Sequence, residues 1–249
     1  MPIVFICIMC YDYSYLHRTA MIYDFQTTTP LIGGRIVKFS QKAIRDILAV
    51  AQRLDAKGIL NAIEGNISVL EEGLVYITPS GKNKAFLTED MIAILDMDGN
   101  QVGGSCKASS EYKLHLHAYQ SRPDIGGMVH AHTPFLTAHA LCGQPIRTNV
   151  YPEMIVVFGS IEVAGYGRPG TDDIYREVGP LLQKEDVILL ENHGAMAVGK
   201  TVFDAMNTLE AAEASARILT LTKLVGTPHQ LPDEECRALW LQHEQRRQS

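Results

Sequence analysis

The 249-residue sequence contains no run of eighteen apolar residues, so a membrane-spanning helix and a membrane partner are not expected. It has no basic surplus either: 22 Lys and Arg against 28 Asp and Glu give a net charge of −6. Nucleic-acid binding normally needs a basic face, and no nucleic-acid partner is expected. Five cysteines are an odd number without the spacing of a disulfide framework. Cys7 and Cys10 form a C-x-x-C pair, but no βαβ pattern follows them and the pair reads as incidental. A reducing cytoplasm is the expected setting. The apolar start, Met1 to Met9, lacks a basic flank and runs into Cys10-Tyr11-Asp12-Tyr13, which argues against a signal peptide. Internal repeats and low-complexity linkers are missing as well. What remains, 46% hydrophobic and 20% charged residues, is an ordinary globular balance, long enough for one or two domains with a sizeable core.

Residues 1–36 show no clear period, and Thr27-Thr28-Thr29-Pro30 with Gly33-Gly34 reads as an irregular N-terminal extension. Residues 37–249 read as one α/β domain, because helical and strand periods alternate along them. Ser40 is a plausible helix cap, followed by Ile44, Ile47, Leu48, Ala51 and Leu54 at helical spacing and closed by Gly58. Gly65 to Val69 and Leu74 to Ile77 read as strands before the turn Thr78-Pro79-Ser80-Gly81. A second helix is expected to start at Ser109-Ser110-Glu111 and stop before Pro123. Met128 to Thr133 reads as a strand, and Pro134 suits the first turn of a helix. Val156 to Tyr166 reads as short-strand material, Thr171 to Gln183 as helical, and Val187 to Leu190 as a buried strand with Ala195 to Val198 as its return partner. The last long helix is expected over Thr201 to Leu224, closed by Gly226, with no element assigned to Thr227 to Ser249.

Two H-x-H pairs separate by period. His130 and His132 are two apart in an expected strand, where i and i+2 share a face, so both imidazoles can converge on one ion. His115 and His117 are two apart in an expected helix, ~200° apart around the axis, and cannot easily share a metal. Catalytic zinc typically takes three protein ligands and leaves one position open. His193, after a buried strand and before Gly194, is the candidate third. On periodicity alone these could equally be three ordinary histidines, since short His motifs often occur by chance. His17, His139, His229 and His243 read as structural or solvent-facing. Gly65-Asn66, Ser80-Gly81 and Ser109-Ser110 are small-residue turns able to present hydroxyl, amide and backbone N–H donors to a phosphate, the last pair at a helix start. Each is also a common plain turn or cap.

Taken together, Gly65-Asn66-Ile67-Ser68, Thr78-Pro79-Ser80-Gly81, Ser109-Ser110-Glu111, Val129-His130-Ala131-His132 and Glu191-Asn192-His193-Gly194 resemble, in order and approximate spacing, the motifs of the class II aldolase/adducin family. The resemblance extends from about residue 40 to 226. It implies a three-layer α/β/α fold around a mainly antiparallel central sheet, and a homotetramer with active sites at subunit interfaces. It implies Zn2+, or another divalent metal, on His130, His132 and His193 with Glu111 on or near it. It implies phosphate held by Asn66, Ser80, Gly81, Ser109 and Ser110, and proton transfer by Glu111 and by Tyr151, nineteen residues after His132, acting in a neighbouring subunit's site. The implied reaction is aldol cleavage of a phosphorylated ketose, such as L-fuculose 1-phosphate, to dihydroxyacetone phosphate and a short aldehyde. A sugar-phosphate 4-epimerase or a dehydratase of the same family is the alternative, although the related epimerases carry Asp where Glu111 stands. A non-catalytic adducin-like interaction module would have lost metal ligands that this chain keeps.

Overall fold

The computed structural model describes residues 31–32, 35–36, 38–168 and 176–248. The chain divides into two compact units, Met1–Phe39 and Ser40–Ser249. Within the first, strands β1 (Leu31–Ile32) and β2 (Arg35–Ile36) pair antiparallel. Cys7, Cys10, His17 and the Thr27–Pro30 segment lie outside the described residues.

The second unit opens with α1 (Gln41–Ala56), whose apolar residues Ile44, Ile47, Val50, Ala51 and Leu54 all fall on one buried stripe. The Ser40 hydroxyl accepts the Ala43 N–H at 3.1 Å and so caps the start of the helix, as its sequence position suggests. An eight-stranded sheet follows, ordered β6-β5-β4-β3-β7-β10-β9-β8. Its strands are β3 (Asn66–Glu71), β4 (Leu74–Ile77), β5 (Ala93–Leu95), β6 (Gln101–Gly103), β7 (Gly127–Ala131), β8 (Val163–Ala164), β9 (Val187–Leu190) and β10 (Gly194–Gly199). Every pairing is antiparallel except β8 with β9, so the sheet is mixed and mostly antiparallel.

Helices cover both faces and complete a three-layer α/β/α arrangement. On one face lie α1, α3 (Pro134–Leu141) and the long α6 (Val202–Val225). On the other lie α2 (Tyr112–Ser121) and α5 (Val178–Leu182), packed through Leu114, Ala118, Val178 and Leu182 onto Ile77, Met128, Ile188 and Met196. This second core surrounds the site, because the strands that bury Met128 and Met196 carry their next same-face residues toward the sheet's polar end. A capping box of Thr201 and Asp204 closes the start of α6, with Thr201 Oγ1 accepting Asp204 N–H at 3.1 Å.

Three elements depart from the sequence reading. The second helix begins at Tyr112, not at the serine pair, so Glu111 stands at its N-terminal boundary. The β-branched run near Val156 is not strand: α4 spans Pro152–Phe158, with Pro152 at the first turn pre-setting the helical φ, and only Val163–Ala164 is extended. The C-terminal residues, to which the sequence reading assigns no element, are helical. Helix α7 (Asp233–Gln248) packs along α4, burying Leu239 and letting His243 Nδ1–H donate to the Val156 carbonyl at 3.2 Å. Of the helix expected over Thr171 to Gln183, only α5 lies within the described residues. No described helix is long and apolar enough to cross a membrane.

Candidate active site

β3 and β7 pair with Asn66 opposite His130 and Ser68 opposite Met128, so all four side chains share the face beneath α2. His130 is fully buried, and its Nδ1–H donates to the Ala195 carbonyl at 2.9 Å. A carbonyl only accepts, so the proton sits on Nδ1 and Nε2 presents a bare lone pair. His132, one residue past the strand, brings its Nε2 to 3.2 Å from that atom. His193 comes from the β9–β10 turn, where Asn192 takes a left-handed φ of 57° that asparagine tolerates better than most residues. The ligand atoms of the three histidines all lie within 4.8 Å of one another. Two nitrogens on one tetrahedral zinc stand about 3.3 Å apart, given Zn–N bonds near 2.0 Å. The spacing therefore fits.

Glu111 closes the fourth side. Its Oε1 is 3.1 Å from His193 Nε2 and its Oε2 is 3.6 Å from His130 Nε2. Asn66 Nδ2–H donates to Oε2 at 2.7 Å. Oε1 is buried and receives no well-formed hydrogen bond. A carboxylate oxygen left short of donors and facing three imidazoles suits a bound cation. Burial works to raise the Glu111 pKa, but His130, His193 and the Asn66 amide outweigh it and hold the group well below the usual carboxylate range. Burial lowers His130 to about 4 despite the nearby Glu111, so its lone pair is free at neutral pH. His132 is lowered too, by burial first and by His193 second. Glu64 Oε2 stands 3.5 Å from His132 Nδ1, a second-layer contact that nothing in the sequence singled out.

Two glycines make room. At Gly65, with φ of 70°, a Cβ would stand 2.7 Å from the His130 carbonyl oxygen, so the chain enters β3 against the backbone of His130. At Gly194 a Cβ would meet the Ala131 carbonyl and His132 Cδ2, each at 2.8 Å.

The candidate phosphate turns do come together. Ser80 N–H donates to the Lys107 carbonyl at 3.0 Å and Ser109 N–H to the Thr78 carbonyl at 3.2 Å, laying the Ser80-Gly81 turn beside Ser109-Ser110. Ser80, Gly81 and Ser110 are exposed, and Ser109 is buried with its hydroxyl accepting the Glu111 N–H at 3.3 Å. Asn66 is different: it is 2% exposed, and both ends of its amide are engaged within the protein, by Glu111 and by His115. Lys84, a residue that no sequence motif singles out, is also 2% exposed. Its ammonium donates to the Ile63 carbonyl at 2.8 Å and the Lys82 carbonyl at 3.0 Å, tying the loop before Gly65 to the loop after Gly81. Burial lowers its pKa to about 8. Tyr151 caps α4, half-buried, with no hydrogen bond to the histidines of its own chain among the described residues.

The sequence profile of the Class II Aldolase and Adducin N-terminal domain matches residues 45–220. The chain belongs to that family. This class II aldolase-type chain is a lyase and is 32% identical over 198 residues to 5-deoxy-D-ribulose 1-phosphate aldolase of Bacillus thuringiensis serovar kurstaki, covering 78% of this chain and 92% of that protein. It is 33% identical over 181 residues to L-fuculose phosphate aldolase of Methanocaldococcus jannaschii, covering 73% and 97%. It is also 32% identical over 159 residues to 3-oxo-tetronate 4-phosphate decarboxylase of Haemophilus influenzae, covering 62% and 75%. Among solved structures, an L-fuculose 1-phosphate aldolase superposes with a TM-score of 0.75 at 30% identity, over 83% of this chain and 98% of that one.

Proposed function

We propose that this class II aldolase-family protein cleaves a phosphorylated ketose to dihydroxyacetone phosphate and a short aldehyde, using a zinc-type ion on His130, His132 and His193. The observation that carries the reading is Glu111, its carboxylate beside the histidine cluster, 3.1 Å from His193 Nε2 and 3.6 Å from His130 Nε2. Breaking a C–C bond beside a ketone needs somewhere for the electron pair to go, and a divalent ion bound there supplies Lewis acidity toward the ketone oxygen. Glu111, held ionised by His130, His193 and Asn66, moves the proton to and from the carbon next to the ketone. Tyr151 exchanges a proton with the aldehyde oxygen. By the family resemblance, Tyr151 is assigned to a neighbouring subunit's site in a homotetramer. Ser80, Gly81, Ser109 and Ser110 hold the phosphate and so fix the reacting carbon by its remote end. Free Cys106, Cys142 and Cys236 suit a reducing cytoplasm.

Relatives named for deoxyribulose- and fuculose-phosphate cleavage support the aldolase reading. The decarboxylase relative supports a second, in which the same electron sink serves loss of carbon dioxide from a phosphorylated keto acid. A 4-epimerase or dehydratase outcome is the remaining variant of the same site.

A panel of phosphorylated ketoses and keto acids, read for dihydroxyacetone phosphate, epimerised or dehydrated sugar and carbon dioxide, separates these outcomes. Purified protein is expected to hold about one divalent ion per chain, lost in the His130→Ala/His132→Ala variant together with turnover. Full turnover in that metal-free variant would sink the mechanism.

A further inference from the structure

The helical H-x-H pair has a use that metal binding does not absorb. His117 turns toward α5, 3.4 Å from Ser121 Oγ. His115 turns the other way, into the sheet, and is fully buried. There its Nε2 is hydrogen-bonded to Asn66 Oδ1, and its Nδ1 stands 2.6 Å from Ser68 Oγ. Ser68 Oγ in turn stands 2.7 Å from the Tyr119 hydroxyl. With the 2.7 Å bond from Asn66 Nδ2 to Glu111, an unbroken chain of side chains runs from the Glu111 carboxylate into the core.

Its proton directions follow by exclusion. Glu111 is a carboxylate and can only accept, so Asn66 must turn its amide N–H toward it. The Asn66 carbonyl oxygen then faces His115, which must donate from Nε2. Burial pushes the His115 pKa down to about 3, so the ring is neutral and Nδ1 is bare. Ser68 donates its hydroxyl proton to Nδ1 and accepts that of Tyr119. The Tyr119 and Ser68 hydroxyls, the His115 ring N–H and one Asn66 amide N–H each have an acceptor. Tyr119 is 3% exposed, and Asn66 and Ser68 are buried, so the chain ends in the core and offers no route for a proton to solvent. It orients; it does not conduct.

We propose that His115 is a positioning residue for Glu111: its Nε2–H locks the Asn66 carboxamide so that N–H, and not C=O, faces the carboxylate. This gives the Asn66 side chain a partner in Glu111, and it rests on the reading of Glu111 as the proton-transferring group. Without the lock, the Asn66 amide is free to turn over and set an acceptor against the carboxylate, which displaces Glu111 from its seat between His130 and His193. Hydrogen-bond partners one layer out from a metal centre typically carry 10- to 100-fold of activity.

Two measurements test this. Nitrogen NMR of the full, metal-free chain should show His115 with Nε2 protonated and Nδ1 unprotonated; the opposite tautomer overturns the proposal. This arm needs no substrate, so it stands even where the cleavage reading fails. The second is a double-mutant cycle on turnover of the substrate found in the panel. His115→Phe is expected to lower kcat about 10- to 100-fold, with KM and metal content unchanged. His115→Gln, which keeps a side-chain N–H, should recover most of that loss. In an Asn66→Ala background, His115→Phe should cost less than about twofold more, because the two act through one path. Full additivity, or equal losses in His115→Phe and His115→Gln, would mean that His115 serves packing alone. If His115→Phe does not fold, His115→Gln and the tautomer decide.

Discussion

Gly194 leaves the space that His132 occupies: a Cβ at position 194 would stand 2.8 Å from His132 Cδ2 and 2.8 Å from the Ala131 carbonyl oxygen. One of those neighbours is a ring edge and the other is backbone of the adjacent strand, so neither can yield freely. Gly194→Ala should therefore push His132 off the cluster while costing about 1–3 kcal/mol from overpacking. Metal titration should show affinity down at least about tenfold, with thermal unfolding reporting the smaller stability loss. Unaltered affinity would show that the close approach does not hold the ligand.

A second support reaches the cluster from α6. Glu213 accepts hydrogen bonds from Thr133 Oγ1 at 2.6 Å, Phe135 N at 2.9 Å and Leu136 N at 2.9 Å. It thus caps α3 from another helix and pins the residue after His132, with the anion at the helix's positive end. Glu213→Ala should lower stability by about 2 kcal/mol and weaken metal binding. Glu213→Gln should do less of both. Chemical unfolding with and without zinc separates the two effects.

Lys84 links the loop carrying Glu64 and Gly65 to the loop carrying Ser80 and Gly81 through the carbonyls of Ile63 and Lys82. Lys84→Met removes both ties and strands two acceptors, a loss of about 1–3 kcal/mol. KM for a phosphorylated substrate is expected to rise while metal content stays constant. Because burial brings the Lys84 pKa to about 8, the ammonium is present below that pH. Substrate binding by the natural protein should weaken as pH rises through about 8, and the Lys84→Met variant should lack that inflection.

Acid should destabilise the metal-free protein in two steps. His115 and His130 are lowered by burial from 6.5 to about 3 and about 4. Between those values and 6.5 the unfolded chain binds more protons than the folded one, so stability falls as pH drops below about 6.5, at up to about 1.4 kcal/mol per pH unit for each group. Glu111, held below its usual 4.5 by His130, His193 and Asn66 against the effect of burial, contributes stability that is lost only as pH falls below about 4.5. Urea midpoints from pH 7 to 4 should decline across the histidine window. A flat profile there would show that these imidazoles are not buried neutral.

Local pattern was enough for much of this. Alternation brought His130 of β7 and His132, one residue past its end, together, and helical period separated His115 from His117, because both follow from backbone geometry at a distance of a few residues. Caps and prolines located α1, α3 and α6 for the same reason. The β-branched run at Ile155, Val156 and Val157 misled because strand preference is weak against packing, and α7 supplies α4 with a partner that no local signal announces. The approach of β3 to β7, which sets Asn66 against His130 and Glu111, joins residues far apart in the chain. Sequence by itself determined which side chains are available and which face each takes along its own element. Only tertiary structure decided that Lys84 is buried, that Glu213 caps α3, and that His115 reaches Glu111 through Asn66. Those depend on side chains that are close in space and distant in sequence, and no local period encodes them.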